Sequence, residues 1–149
     1  MKSLFEENTY AEITSRLNQL DESSERQWGK MTVSQMLHHC QLPLALALKE
    51  HTLEKPSWFM KIMGKFFKKT LYNDSEWKKN LPTPARFKVI EDKNFGQEKD
   101  ILSGLINRFH DQKEKKNWDP HPVFGHFTVA QWGQMQYKHL DHHFRQFGV

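Results

Sequence analysis

Residues 128–147 read TVAQWGQMQYKHLDHHFRQF, and this stretch decides the fold class. Thr128 followed three positions later by Gln131 is a capping box, in which the hydroxyl accepts a backbone N–H of the first turn while the glutamine amide reaches back. The residues after it keep the helical period. At about 100° per residue, Val129, Trp132, Leu140 and Phe147 gather on the same side as His139 and His143, whereas Lys138, Asp141 and Arg145 point away. The spacing predicts a helix to about Phe147 that turns two imidazoles inward along one line.

The same signal recurs upstream. Residues 9–20 carry Ile13, Leu17 and Leu20 at three- and four-residue intervals and end in the polar run Asp21, Glu22, Ser23, Ser24. Thr32 and Gln35 form another capping box, opening a helix to about Leu48 whose apolar face is Val33, Met36, Cys40, Leu44 and Ala47. Residues 97–115 repeat the period through Ile101, Leu105, Ile106 and Phe109. With only 7 glycines and 6 prolines to punctuate a sheet, four such helices predict an all-α fold, a four-helix bundle.

The link between the second and third of these helices is too long for a simple hairpin. It holds a candidate extra helix over residues 58–71 and then Leu81-Pro82-Thr83-Pro84, which cannot be helical throughout. One long crossover implies that two neighbouring helices run parallel. Residues 118–127, with Pro120, Pro122 and Gly125, read as a rigid loop feeding the last helix.

Composition narrows the function classes. The 149 residues, with 22 basic and 18 acidic side chains for a net charge of +4, suit a single domain over residues 1–149 that needs neither a disulfide nor a metal merely to fold. The one cysteine, Cys40, has no internal partner, and the N-terminal run MKSLFEENTYAE lacks the apolar stretch of a secretory signal. A cytoplasmic location is the expectation. No apolar run approaches the roughly 18 residues of a membrane span, and charge of both signs throughout the chain gives little ground for nucleic-acid binding. The 9 histidines are the unusual count.

His139 and His143 have chelating spacing on one helix face. Two imidazoles bind a divalent metal weakly, so a third must come from elsewhere. The second helix offers His38 and His39; the wheel puts His39 at the border of the apolar face and His38 about 100° further out, which favours His39. Pro43 cannot donate to the His39 carbonyl, so a kink is expected there. His142 reads as a flanking residue, and Gln146 returns to the inward line, where its amide could orient an imidazole or a bound water. Pattern alone leaves it equally open that the pair are core histidines with satisfied ring nitrogens.

Two segments, Trp28-Gly29-Lys30-Met31-Thr32-Val33-Ser34-Gln35-Met36-Leu37-His38-His39 and His139-Leu140-Asp141-His142-His143-Phe144-Arg145-Gln146, resemble the signature regions of the bacterial DinB-like (damage-inducible protein B) metalloenzyme superfamily. The closer likeness is to a branch of unknown function carrying a run similar to His121-Pro122-Val123-Phe124-Gly125 followed by Gln131-Trp132-Gly133. The resemblance covers most of the chain from Trp28 onward and is weakest over residues 55–86. It implies an up-down-down-up four-helix bundle with a divalent metal held by His39, His139 and His143; zinc, nickel, iron and manganese all occur among such proteins. The best understood relatives are thiol S-transferases and thiol-dependent isomerases, although Phe144-Arg145-Gln146 stands where transferase members often carry an arginine–glycine pair.

Three neutral imidazoles leave coordination positions open for water or substrate, the arrangement of catalytic sites. The expected function is metal-dependent thiol-transferase-like or hydrolytic chemistry on a small molecule, with a low-molecular-weight thiol as a candidate cosubstrate. The alternative is a non-catalytic metal- or surface-binding stress-response protein on the same scaffold. No general base stands out: Asp141 points outward, and His121, His126 and His142 would have to reach the rim. Cys40 reads as a buried small hydrophobe. The basic aromatic segment over residues 58–71 is expected to cover the bundle or to form a homodimer contact, with its lysines as a solvated face, rather than to bind a membrane or nucleic acid.

Overall fold

The computed structural model describes residues 1–52, 55–82 and 87–149. These form five α-helices and no strand: α1 Glu7–Gln19, α2 Val33–Ala47, α3 Trp58–Phe67, α4 Phe95–His110 and α5 Val129–Gln146. Short 3-10 turns, Lys68–Leu71 and Asp111–Glu114, prolong α3 and α4. Among the described residues no helix is long and apolar enough to cross a membrane.

Local chemistry sets the helix ends. Both expected capping boxes form: Thr32 accepts from the Gln35 backbone N–H at 3.2 Å while the Gln35 side chain accepts from the Thr32 N–H at 3.0 Å, and Thr128 and Gln131 do the same at 3.2 and 3.0 Å. Each satisfies two backbone donors that a helix start otherwise leaves unpaired. Asn94 and Ser57 cap α4 and α3 through single side-chain acceptors. Pro43 lies within α2, which continues to Ala47.

Four helices share one apolar core. α2 packs most extensively on α4, α5 meets both α1 and α2, and α1 also meets α4. Ile13 and Leu17 from α1, Met36, Leu37 and Leu44 from α2, Leu102, Ile106 and Phe109 from α4, and Leu140 and Phe144 from α5 are all buried. The N-terminal segment closes one side, with Phe5 stacked on Phe109 at 4.8 Å between ring centroids. Polar ties fix the seams: Arg16 reaches Asp141 at 2.8 Å between α1 and α5, and buried Glu98 on α4 accepts from Gln41 at 2.6 Å and pairs with His38 at 3.0 Å on α2.

Three expectations change. In α4 it is Leu102 that turns inward, while Ile101 is exposed, because Leu105, Ile106 and Phe109 centre the buried face on Leu102. Lys138 does not point to solvent. Its aliphatic stem is buried and its ammonium is held by the carbonyls of Thr70 and Asn73 at 2.7 and 2.9 Å, so it fastens the crossover to α5. The helix within residues 58–71 forms, but its large side chains do not cover the rest of the chain: Trp58 is 74% exposed and Phe66 76%. Of the stretch 81–84, Leu81 and Pro82 are non-helical, and Thr83 and Pro84 lie outside the described residues.

The loop before α5 is held by His121. Its Nδ1 accepts from the backbone N–H groups of Val123 and Phe124 at 3.1 and 3.3 Å, and its ring packs among Phe124, Phe127 and Trp132. Burial, with a smaller effect of Lys68, lowers its pKa to about 4. The unfolded ring titrates near its ordinary value of about 6.5. The neutral ring therefore contributes stability that is fully present above about pH 6.5 and is lost as pH falls towards 4. In urea titrations at pH 7 and pH 5, replacing His121 with Gln should shrink the acid-induced loss of stability by about 2 kcal/mol; equal losses in both proteins would show that His121 is not the titrating group.

Candidate metal centre

α2 and α5 bring His39, His139 and His143 together, and each offers a ring nitrogen within 4.8 Å of the others. Ring centroids lie 5.0 Å apart for His39 and His139, 4.7 Å for His39 and His143, and 4.8 Å for His139 and His143. Nitrogens sharing one tetrahedral ion at the usual bond length stand roughly 3.4 Å apart. His39 Nε2 and His139 Nε2 are already at 3.1 Å, so small side-chain rotations would close the triangle.

The hydrogen bonds fix which nitrogen faces inward. His39 Nδ1 donates to the Phe87 carbonyl at 2.9 Å, so its Nε2 is the unprotonated nitrogen and faces His139 Nε2. Gln146 settles His143: its amide nitrogen donates to the Trp28 carbonyl at 2.7 Å, so its oxygen must accept from His143 Nδ1 at 2.9 Å. His143 Nε2 is thereby left unprotonated. His139 Nδ1 is buried with no hydrogen-bond partner among the described residues.

Burial keeps all three rings neutral. It lowers the pKa of His39; for His139 burial and then the neighbouring His143 and His39 hold the pKa far below the ordinary value; for His143 burial and then His39 bring it to about 3. Neutral imidazoles are the form that ligates metals. Lone pairs aimed at one another repel unless a proton or cation lies between them. This donor set could hold a divalent metal ion.

The remaining candidates fall outside this group. His38 is committed to Glu98. His142 flanks the site, its ring 5.1 Å from His143 and between Trp28 at 5.9 Å and Trp77 at 5.6 Å. Asp141 is paired with Arg16 and Arg145, and Cys40 is fully buried, its thiol pushed well above its ordinary pKa by burial alone. His121 holds its own loop beside Trp132, two turns of α5 before His139. His126 is exposed.

Several supporting groups carry little or no mark in the sequence. Trp77, whose ring centroid lies 6.1 Å from that of His139, comes from the crossover, where no periodicity marks it. The carbonyls of Phe87 and Trp28 have no side-chain signature. Gly29, next to Trp28, makes room for Gln146. Its φ is +84°, and a Cβ there would stand 2.3 Å from Gln146 Nε2.

Replacing Gly29 with Ala should therefore cost about 1 to 3 kcal/mol in urea denaturation and displace the Gln146 amide. Unchanged stability would mean that this contact relaxes freely.

Over residues 3–148 the chain matches the family described as "Protein of unknown function (DUF1569)", and it belongs to that family. No curated protein matches the chain, and no solved structure does either.

Proposed function

From a family that names no activity and a site that offers three inward imidazoles, we propose that this protein is a metal-dependent enzyme holding one divalent ion on His39, His139 and His143. Its four core helices, α1, α2, α4 and α5, are read as a DinB-like up-down-down-up bundle, one domain over residues 1–149, working in the cytoplasm. The observation that carries the reading is the arrangement of nitrogens. Two of the three rings have Nδ1 tied to backbone or amide oxygens, which leaves Nε2 as the lone-pair nitrogen, and the third sets its Nε2 3.1 Å from that of His39.

The roles divide among the residues present. His39, His139 and His143 bind the ion from one side and leave positions open on the other. The Phe87 carbonyl and Gln146 orient two of the rings, as outer groups do in metal sites generally. Trp77 stands beside the site on the His139 side. A bound ion supplies Lewis acidity, enough for a thiol or water at an open position to lose its proton near neutral pH. A thiol needs the smaller shift, since its ordinary pKa is about 8.5. Among the described residues the imidazole group contains no carboxylate to serve as a general base, which favours thiol transfer over hydrolysis. The same feature suits a second reading, a metal-binding protein without catalysis.

Metal analysis of the purified protein should find about one divalent ion per chain. His39→Ala, His139→Ala and His143→Ala should each abolish retention, whereas His38→Ala and His142→Ala should keep it. Gln146→Ala should weaken affinity roughly 10- to 100-fold. Equal losses at all five histidines would refute the assignment. A panel of low-molecular-weight thiols with electrophilic acceptors, run beside esters and amides, separates the reactions. Activity surviving complete metal removal would exclude both, and inactivity of the loaded protein throughout would favour the second reading.

A further inference from the structure

The amphipathic helix α3 is mounted with its apolar side outward. On a helical wheel Trp58, Phe59, Ile62, Met63, Phe66 and Phe67 occupy one half, an arc of about 180°, and all six are exposed. Gly64, in the opposite half, is the buried residue of the helix. It lets α3 rest on the loop before α5, since a Cβ there would meet the Val123 carbonyl at 2.7 Å and the Val123 side chain at 2.8 Å. A contiguous apolar face of this kind on a single chain marks a binding surface.

Charge identifies what covers it. Residues 55–73 contain five lysines, Lys55, Lys61, Lys65, Lys68 and Lys69, and no aspartate or glutamate. Lys61 and Lys65 border the apolar arc, and with Lys69 they form no ion pair among the described residues. A two-fold pairing of copies would set this segment against itself, bringing like charges together around the contact. Single-stranded nucleic acid would need flat stacking surfaces beside the cations, whereas Ile62 and Met63 lie midway along the helix and separate Trp58 and Phe59 from Phe66 and Phe67. An anionic lipid surface meets both demands, taking the aromatic and aliphatic side chains at the headgroup boundary and the lysines at the phosphates. Ten residues make a helix about 15 Å long, suited to lying in the interface.

We infer that α3 is an interfacial anchor that docks this protein on anionic membranes. This docking is independent of the metal site. The exposed side chains contribute little to folding, so the anchor can be altered without harming the core.

The test is co-sedimentation of the full chain with vesicles of phosphatidylcholine alone or mixed with phosphatidylglycerol. Binding should appear with the anionic vesicles and weaken as salt rises. Replacing Phe66 and Phe67 with Ser should abolish it. Lys61→Gln, Lys65→Gln and Lys69→Gln together should weaken it on the order of a hundredfold. Both variants should keep the parent melting temperature and metal content. No binding to anionic vesicles, equal binding to neutral ones, or binding to single-stranded DNA in their place would overturn the inference. So would dimerisation in light scattering that the Phe66 and Phe67 changes abolish.

Discussion

Burying three imidazoles between α2 and α5 is the constraint on which the surrounding structure depends. Each ring carries two nitrogens, and removing a polar atom from water without a partner costs free energy. The chain meets this for two of the three rings. The Phe87 carbonyl serves His39, Gln146 serves His143 from the next turn of the same helix, and the Trp28 carbonyl holds Gln146 in its turn. Gly29 allows that last approach because any side chain would occupy the place of the amide. The seam is closed further along by Gln136, buried on α5, whose amide donates to the Pro43 carbonyl at 3.0 Å. The apolar contacts of the four core helices supply the favourable free energy against which this polar cluster is kept dry.

The crossover connects the site to the surface of the molecule. The Thr70 carbonyl, in the 3-10 turn that prolongs α3, accepts from Trp77 Nε1 at 2.8 Å and from Lys138 Nζ at 2.7 Å. One backbone oxygen thus joins the aromatic ring beside the imidazole group to the helix carrying His139. A lysine suits this position because its long stem lies along apolar neighbours while the ammonium satisfies several carbonyl oxygens. α3 itself leaves its apolar half free because the four core helices already bury one another's apolar faces.

The sequence by itself determined where the helices lie and, for α1 and α2 and most of α5, the face that each buries. Two capping boxes and the apolar period located α2 and α5 to within a residue or two, and the i, i+4 spacing put His139 and His143 on one inward line. These signals are local, set by hydrogen bonds and side-chain directions within a few turns, so they can be read without knowing what lies opposite. A wheel also favoured His39 over His38, since His39 lies nearer the apolar face of its own helix.

Only the tertiary structure decided that His39 meets the other two, because contact across 100 residues depends on how helices pack. It also decided which carbonyls orient the rings, since a backbone oxygen has no residue type to betray it. Lys138 and α3 show the same limit from opposite directions. A lysine whose wheel position faced solvent was buried by a crossover that supplied carbonyls, and an aromatic face expected to cover the bundle or to meet a second copy was left exposed on this chain. In both cases the periodicity was correct about the helix, and the neighbour packed against it determined the burial.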